Sequence, residues 1–196
     1  SAASDVYKRQ NITFAIGPAG TGKSYIATAY AAEQLYYKRI DKLIITRPAV
    51  EAEESLGFLP GELEEKYAPY LAPIRDILDK LLGKSFVEYC LKVGYIEPVP
   101  IAYMRGRTFE NAIVLIDEAQ NCTPGQMKLI LSRIGENCKY IIDGDVTQQD
   151  ISGESGLIDA IKRLERIPGI DVVTFLNQDI VRSGLCKKII QAYSDG

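Results

Sequence analysis

The run Gly17-Pro18-Ala19-Gly20-Thr21-Gly22-Lys23-Ser24 matches the pattern GxxxxGK(S/T), and it stands between an apolar run, Ile12 to Ile16, and a helical pattern starting at Ser24. Nothing else in the chain restricts the fold so tightly. A strand, a glycine loop and a helix in that order wrap backbone N–H groups around a phosphate: the glycines remove bulk, and the helix adds the positive end of its dipole. In such a loop Lys23 reaches the β- and γ-phosphates of a nucleotide, and the Ser24 hydroxyl ligates Mg²⁺. The competing reading is a glycine-rich turn that binds nothing.

Further short apolar runs follow at Leu43 to Thr46, Ile113 to Ile116, Tyr140 to Ile142 and Val172 to Leu176, separated by longer helical patterns. Near-continuous apolar strands alternating with helices are what a mostly parallel sheet covered on both faces requires, so the class is α/β. Two helices are well signalled. One runs from Thr123 to Ile134, with Thr123 as N-cap, Pro124 at the first helical position, Gln126 completing a capping box and Gly135 at its end. The other, Ser24 to about Lys38, turns Ile26, Ala29, Tyr30, Ala32 and Leu35 toward the sheet.

The 196 residues, 46% hydrophobic, suffice for one domain with a sizeable core, read as spanning Asn11 to Gly196. The polar segment Ser1 to Gln10 is set aside as non-native-looking or disordered, and Glu51 to Arg107, rich in proline and acids, reads as a helical insertion or substrate-facing region. No stretch approaches the roughly 20 apolar residues that cross a bilayer, and no secretory signal precedes the first strand, so no membrane contact and a cytoplasmic setting are expected.

The chain contains no histidine, which removes Ser-His and Cys-His nucleophiles and the usual zinc sites. Cys90, Cys122, Cys138 and Cys186 are widely spaced and read as reduced thiols. Hydrolytic chemistry must therefore run on carboxylates, Lys, Arg and a metal. The net charge of −3 gives no global attraction to nucleic acid, so such binding needs a local basic patch.

Ile113-Val114-Leu115-Ile116-Asp117-Glu118 is a strand ending in two carboxylates, and in a parallel sheet that end faces the ligand crevice. Asp117 suits the metal, and Glu118 suits a base that orients or deprotonates water; the plain alternative is a solvated acidic pair opening a loop. Asp143-Gly144-Asp145-Val146-Thr147-Gln148 follows the next strand, so Gln148 is either a sensor of the γ-phosphate or part of an ordinary turn. Arg182 either stabilises the transferring phosphoryl group, in cis or across a subunit contact, or is a surface cation. Arg47, Arg105 and Arg107 are open between nucleic-acid phosphates, nucleotide and solvent, while Tyr67, Tyr70 and Tyr103 either stack bases or pack.

With these motifs in this order, the chain resembles the PhoH family of P-loop ATPases, which look like superfamily 1 helicase cores. The resemblance extends to Arg47-Pro48-Ala49-Val50-Glu51, Leu56-Gly57-Phe58-Leu59-Pro60-Gly61, Tyr103-Met104-Arg105-Gly106-Arg107-Thr108 and Asp179-Ile180-Val181-Arg182. It implies a RecA-like fold, ATP and Mg²⁺ as cofactors, ATP hydrolysis, a role in RNA metabolism with single-stranded RNA as partner, and a homo-oligomer, in some members a hexamer. The chain departs from the family upstream of the first strand, where a glutamine near the adenine is expected, and at Ser183, where a histidine is common. Two other readings share the phosphate loop: a nucleotide-dependent interaction module with negligible hydrolysis, and a small-molecule phosphoryl transferase, which would normally carry an arginine-rich lid.

Overall fold

The computed structural model describes residues 2–48 and 63–176. Six strands, β1 (Ile12–Ile16), β2 (Lys42–Thr46), β3 (Ile96–Pro98), β4 (Ala112–Ile116), β5 (Cys138–Gly144) and β6 (Ile170–Thr174), form one sheet. Its order is β3-β2-β4-β5-β1-β6, and every pairing is parallel. The helices are α1 (Ala2–Arg9), α2 (Lys23–Tyr36), α3 (Leu63–Tyr67), α4 (Ala72–Leu82), α5 (Lys84–Val93), α6 (Pro124–Leu131) and α7 (Gly156–Leu164).

The strands are apolar on both sides because both sides are covered. Leu43, Ile45, Ile113, Leu115 and Ile141 face one core with Ala27, Ala31, Ile74, Leu78 and Val87 from α2, α4 and α5. The alternate residues Phe14, Ile44, Val114, Ile116 and Ile142 face a second core with Met127 and Ile130 of α6 and Leu157 of α7. Each such side chain contributes roughly 1.5–3 kcal/mol by leaving water. On α2 the expected Tyr30, Ala32 and Leu35 are buried, Ile26 and Ala29 are only partly so, and the stripe widens to take in Ala27 and Ala31, which are wholly buried.

The strand register aligns the functional ends. Ile16 pairs with Gly144, Ile142 with Ile116, and Ile116 with Thr46. Consequently the phosphate loop, the segments after β4 and β5, and Arg47 after β2 all leave the same edge of the sheet. The acid-bearing strand β4 stands one strand away from β1, with β5 between them.

Helix α6 has the expected capping box: Gln126 N donates to Thr123 Oγ1 at 3.2 Å and Thr123 N to Gln126 Oε1 at 2.9 Å. It ends at Leu131 rather than Ile134, because Ser132 Oγ donates back to Leu129 O at 3.0 Å and Ile134 is drawn into a bridge with Phe109. The largest difference from expectation is at the N-terminus. The segment Ser1 to Gln10, set aside as outside the fold, contains α1, with Ala3 and Tyr7 buried at i, i+4 spacing and the Tyr7 ring 5.6 Å from that of Tyr30. The described part of Glu51 to Arg107 contains α3, α4 and α5 and also supplies β3, whose Pro98 is tolerated on an edge strand. Among the described residues no helix is long and apolar enough to cross a membrane, and the buried Cys90, Cys122 and Cys138 form no disulfide with one another.

Candidate functional site

Local backbone chemistry shapes the phosphate loop. Gly17 adopts φ 150°, and a Cβ there would lie 2.4 Å from Phe175 O, so only glycine lets the loop pass the end of β6. Thr21 Oγ1 donates to Pro18 O at 2.8 Å, and Ala19 N donates to Asp145 Oδ2 at 3.1 Å. Lys23 is buried, and its ammonium donates to Gly17 O at 2.6 Å and Pro18 O at 2.8 Å. Burial lowers its pKa, against the opposing pull of Asp143, Asp145, Glu118 and Asp117. The loop therefore arches over a cavity of about 230 Å³ lined also by Ser24, Asp117, Glu118, Asp143, Asp145 and Gln148.

Ser24 Oγ donates to Asp117 Oδ1 at 2.9 Å across that cavity. Burial raises the Asp117 pKa, while the Ser24 hydrogen bond and the charge of Arg47 lower it. Glu118 turns the chain with φ 55°, a left-handed conformation uncommon outside glycine. Its carboxylate meets Arg47 Nη2 at 3.3 Å through Oε1 and accepts from Gln120 Nε2 at 2.5 Å through Oε2. Gln120 is itself buried, and its Oε1 accepts from Asp145 N at 3.0 Å, so a single amide ties the base candidate to the end of β5.

Asp143, the penultimate residue of β5, is 1% exposed and lines the cavity, and neither carboxylate oxygen has a hydrogen-bond partner. Burial, with Asp117 nearby, pushes its pKa well above the ordinary carboxylate range, against the opposing pull of the Lys23 charge and the nearby Ser24 hydroxyl. Such an orphaned acid marks a place built for a cation or a donor. Ser24, Asp117 and Asp143 present hard oxygen atoms, as Mg²⁺ prefers. No group of three or more His, Cys, Asp or Glu with metal-holding geometry occurs among the described residues. Asp145 is committed to structure: its Oδ1 accepts from Thr147 N at 2.9 Å and Thr147 Oγ1 at 2.6 Å. Gln148 is exposed at the cavity wall, with its backbone N donating to Asp145 O at 3.1 Å.

The arginines singled out by sequence differ in their surroundings. Arg47 is turned toward Glu118, Arg107 forks onto Glu97 at 2.6 and 3.0 Å with its guanidinium 5.0 Å from the Phe109 ring centre, and Arg105 is exposed, as is Tyr103. Tyr67 is buried and packs, its ring 6.2 Å from that of Tyr70. Arg182, Ser183 and Cys186 lie outside the described residues, as do Ala49 to Glu62. Three features of the candidate site have no role in the sequence reading: Gln120, Asp143 and the Arg47–Glu118 pair. Gln120 carries a signal, being a neutral amide two residues past an acid at a strand end; the other two need the sheet register.

A family model described as PhoH-like protein matches residues 1–194. The chain is 50% identical over 189 residues to Protein PhoH of Escherichia coli (strain K12), covering 94% of this chain and 53% of that protein. It is 51% identical over 188 residues to a PhoH-like protein of Bacillus subtilis (strain 168), covering 95% of this chain and 59% of that one. The chain thus spans between half and three-fifths of the length of these curated relatives. Among solved structures, the large terminase of a thermophilic bacteriophage aligns with TM-score 0.54 and 9% identity, covering 95% of this chain and 45% of that one. At that identity the likeness speaks for the P-loop, RecA-like fold alone.

Proposed function

The chain belongs to the PhoH-like protein family, and from that premise we propose that it binds ATP with Mg²⁺ and hydrolyses the γ-phosphate, with turnover coupled to single-stranded RNA. The observation that carries this reading is one cavity lined by Lys23, the Ser24–Asp117 pair and Glu118. On binding, Lys23 exchanges the carbonyls of Gly17 and Pro18 for β- and γ-phosphate oxygens, while the amides of Gly20 to Ser24 close around the β-phosphate. A Mg²⁺ held by the Ser24 hydroxyl and the Asp117 carboxylate supplies neutralisation of the charge that develops on the phosphates. Glu118 takes the proton of the attacking water, Gln148 orients that water, and Arg182, in cis or from a neighbouring copy, stabilises the transferring group.

RNA enters this reading through the family resemblance and through the exposed pair Tyr103 and Arg105, which offers a ring face for a base and a cation for a phosphate. A homo-oligomer, a hexamer by resemblance, and a cytoplasmic setting belong to the same proposal. A second reading, a nucleotide-dependent switch that hydrolyses little, is favoured by one observation: the Glu118 carboxylate is already engaged by Arg47 and Gln120.

Steady-state ATP hydrolysis with Mg²⁺, with and without single-stranded RNA, separates the two when Lys23→Ala and Glu118→Gln are run beside the parent chain. The ATPase reading expects RNA-stimulated turnover that both substitutions abolish, with nucleotide binding kept in Glu118→Gln. Binding without turnover in the parent chain supports the switch instead.

A further inference from the structure

Arg47 is the first residue after β2, and Glu118 lies two residues beyond β4, its neighbour in the sheet. Because Thr46 pairs with Ile116, and Asp117 N donates to Thr46 O at 3.0 Å, the two segments leave the sheet side by side. The Arg47 backbone is then clasped by one buried hydroxyl. Its N–H donates to Tyr67 Oη at 2.7 Å, and Tyr67 donates back to Arg47 O at 2.9 Å. The guanidinium bridges outward from that clasp, Nη1 donating to Tyr70 O at 3.1 Å and Nη2 meeting Glu118 Oε1 at 3.3 Å.

The consequence falls on Glu118. One carboxylate oxygen is ion-paired and the other takes the Gln120 amide hydrogen, so both are directed at protein donors. The left-handed turn at this residue fixes where the side chain leaves the backbone. A carboxylate held in this way is not free to turn toward a water until the cation withdraws. Arg47 is a quarter exposed, so a solute anion reaches it. Guanidinium forks onto phosphate as readily as onto carboxylate. Its other contacts come from Tyr67, the last residue of α3, and from Tyr70 in the turn that follows.

We propose that Arg47 is a positioning residue that restrains Glu118 in the resting protein and releases it when a phosphodiester of single-stranded RNA takes up the guanidinium. This inference rests on the reading of the chain as an RNA-stimulated ATPase with Glu118 as its base. It makes RNA stimulation a local exchange of one anion for another, and Tyr67 the hinge pin that keeps the exchange in register.

Hydrolysis of Mg-ATP by the full chain, with and without oligouridylate, tests it in the parent, Arg47→Ala, Arg47→Lys and Tyr67→Phe proteins. Arg47→Ala is expected to raise RNA-free kcat about threefold to tenfold at unchanged KM for ATP, and to flatten the response to RNA. Tyr67→Phe keeps the packing but removes the clasp, so it moves both quantities the same way by less. Arg47→Lys keeps a cation for Glu118 without the fork, and RNA-free kcat returns toward the parent value while the RNA response stays weak. A parent chain that turns over while Arg47→Ala lowers or leaves unchanged the RNA-free kcat overturns the restraint and leaves the ATPase reading standing. If parent and variant both bind nucleotide and neither turns over with RNA, the ATPase reading fails and the restraint with it.

Discussion

The cavity beneath the phosphate loop, about 230 Å³, is smaller than the one between α4, α5 and the β2–β3 edge, about 610 Å³. Their charges are arranged in opposite ways. In the larger cavity Lys42 meets Glu97 at 3.3 Å, Glu97 is forked by Arg107, and Arg75 bonds Asp79 at 2.8 Å, among apolar neighbours such as Leu71, Leu78 and Val87. In the smaller one the Lys23 ammonium hydrogen-bonds carbonyls of its own loop while no carboxylate forms an ion pair with it, and neither oxygen of Asp143 has a hydrogen bond of normal geometry. Volume alone would point to the larger space, but a binding site for a charged ligand is recognised by polar groups that the fold leaves to be completed.

The sharpest way to challenge this contrast is to remove the orphaned charge. With its pKa raised in the folded state, Asp143 favours folding when protonated; that contribution is complete below the ordinary aspartate pKa and is lost as pH rises through the raised value. Asp143→Asn cannot ionise, so it should stabilise the chain relative to the parent by on the order of 1–2 kcal/mol near about pH 8. The gain should shrink to nothing toward about pH 4, where both forms are neutral. Thermal melts across pH check this, at roughly 2–4 °C per kcal/mol. A destabilised variant at alkaline pH would mean that the ionised carboxylate is satisfied after all.

The matching experiment in the larger cavity should show little. Arg107 hydrogen bonds lower the Glu97 pKa, so its contribution is present above the ordinary glutamate pKa and is lost as pH falls through the lowered value. The pair is about one-third exposed, and solvent screening holds Glu97→Gln to about 1 kcal/mol or less at neutral pH. KM for ATP should not move. A changed KM would tie this edge of the sheet to the nucleotide and undo the contrast.

What can be read in advance follows the range of the interactions. The phosphate loop, β1 and the capping box of α6 depend on residues within a few positions of one another, and they stand where local pattern puts them, apart from the early end of α6. β3 is invisible in sequence because three residues ending in proline carry no periodicity; only the neighbouring edge of β2 makes Ile96–Pro98 a strand. Helix α1 is masked by its polar composition, although Ala3 and Tyr7 already share a face. Arg47 stays open in sequence between nucleic-acid phosphates, nucleotide and solvent because its partner is far along the chain; the register of β2 on β4 brings Glu118 to it. Asp143 reads as one acid of a turn, whereas β5 buries it as the strand's penultimate residue.

Hydrogen exchange on the full chain, with and without Mg²⁺ and a non-hydrolysable ATP analogue, tests the central claim most directly. Ligand-induced protection should fall on residues 17–24, 117–120 and 143–148, with α4, α5 and β3 unchanged. Protection centred on Leu71 to Pro98, with the phosphate loop exchanging as before, would place the ligand in the larger cavity and contradict the account.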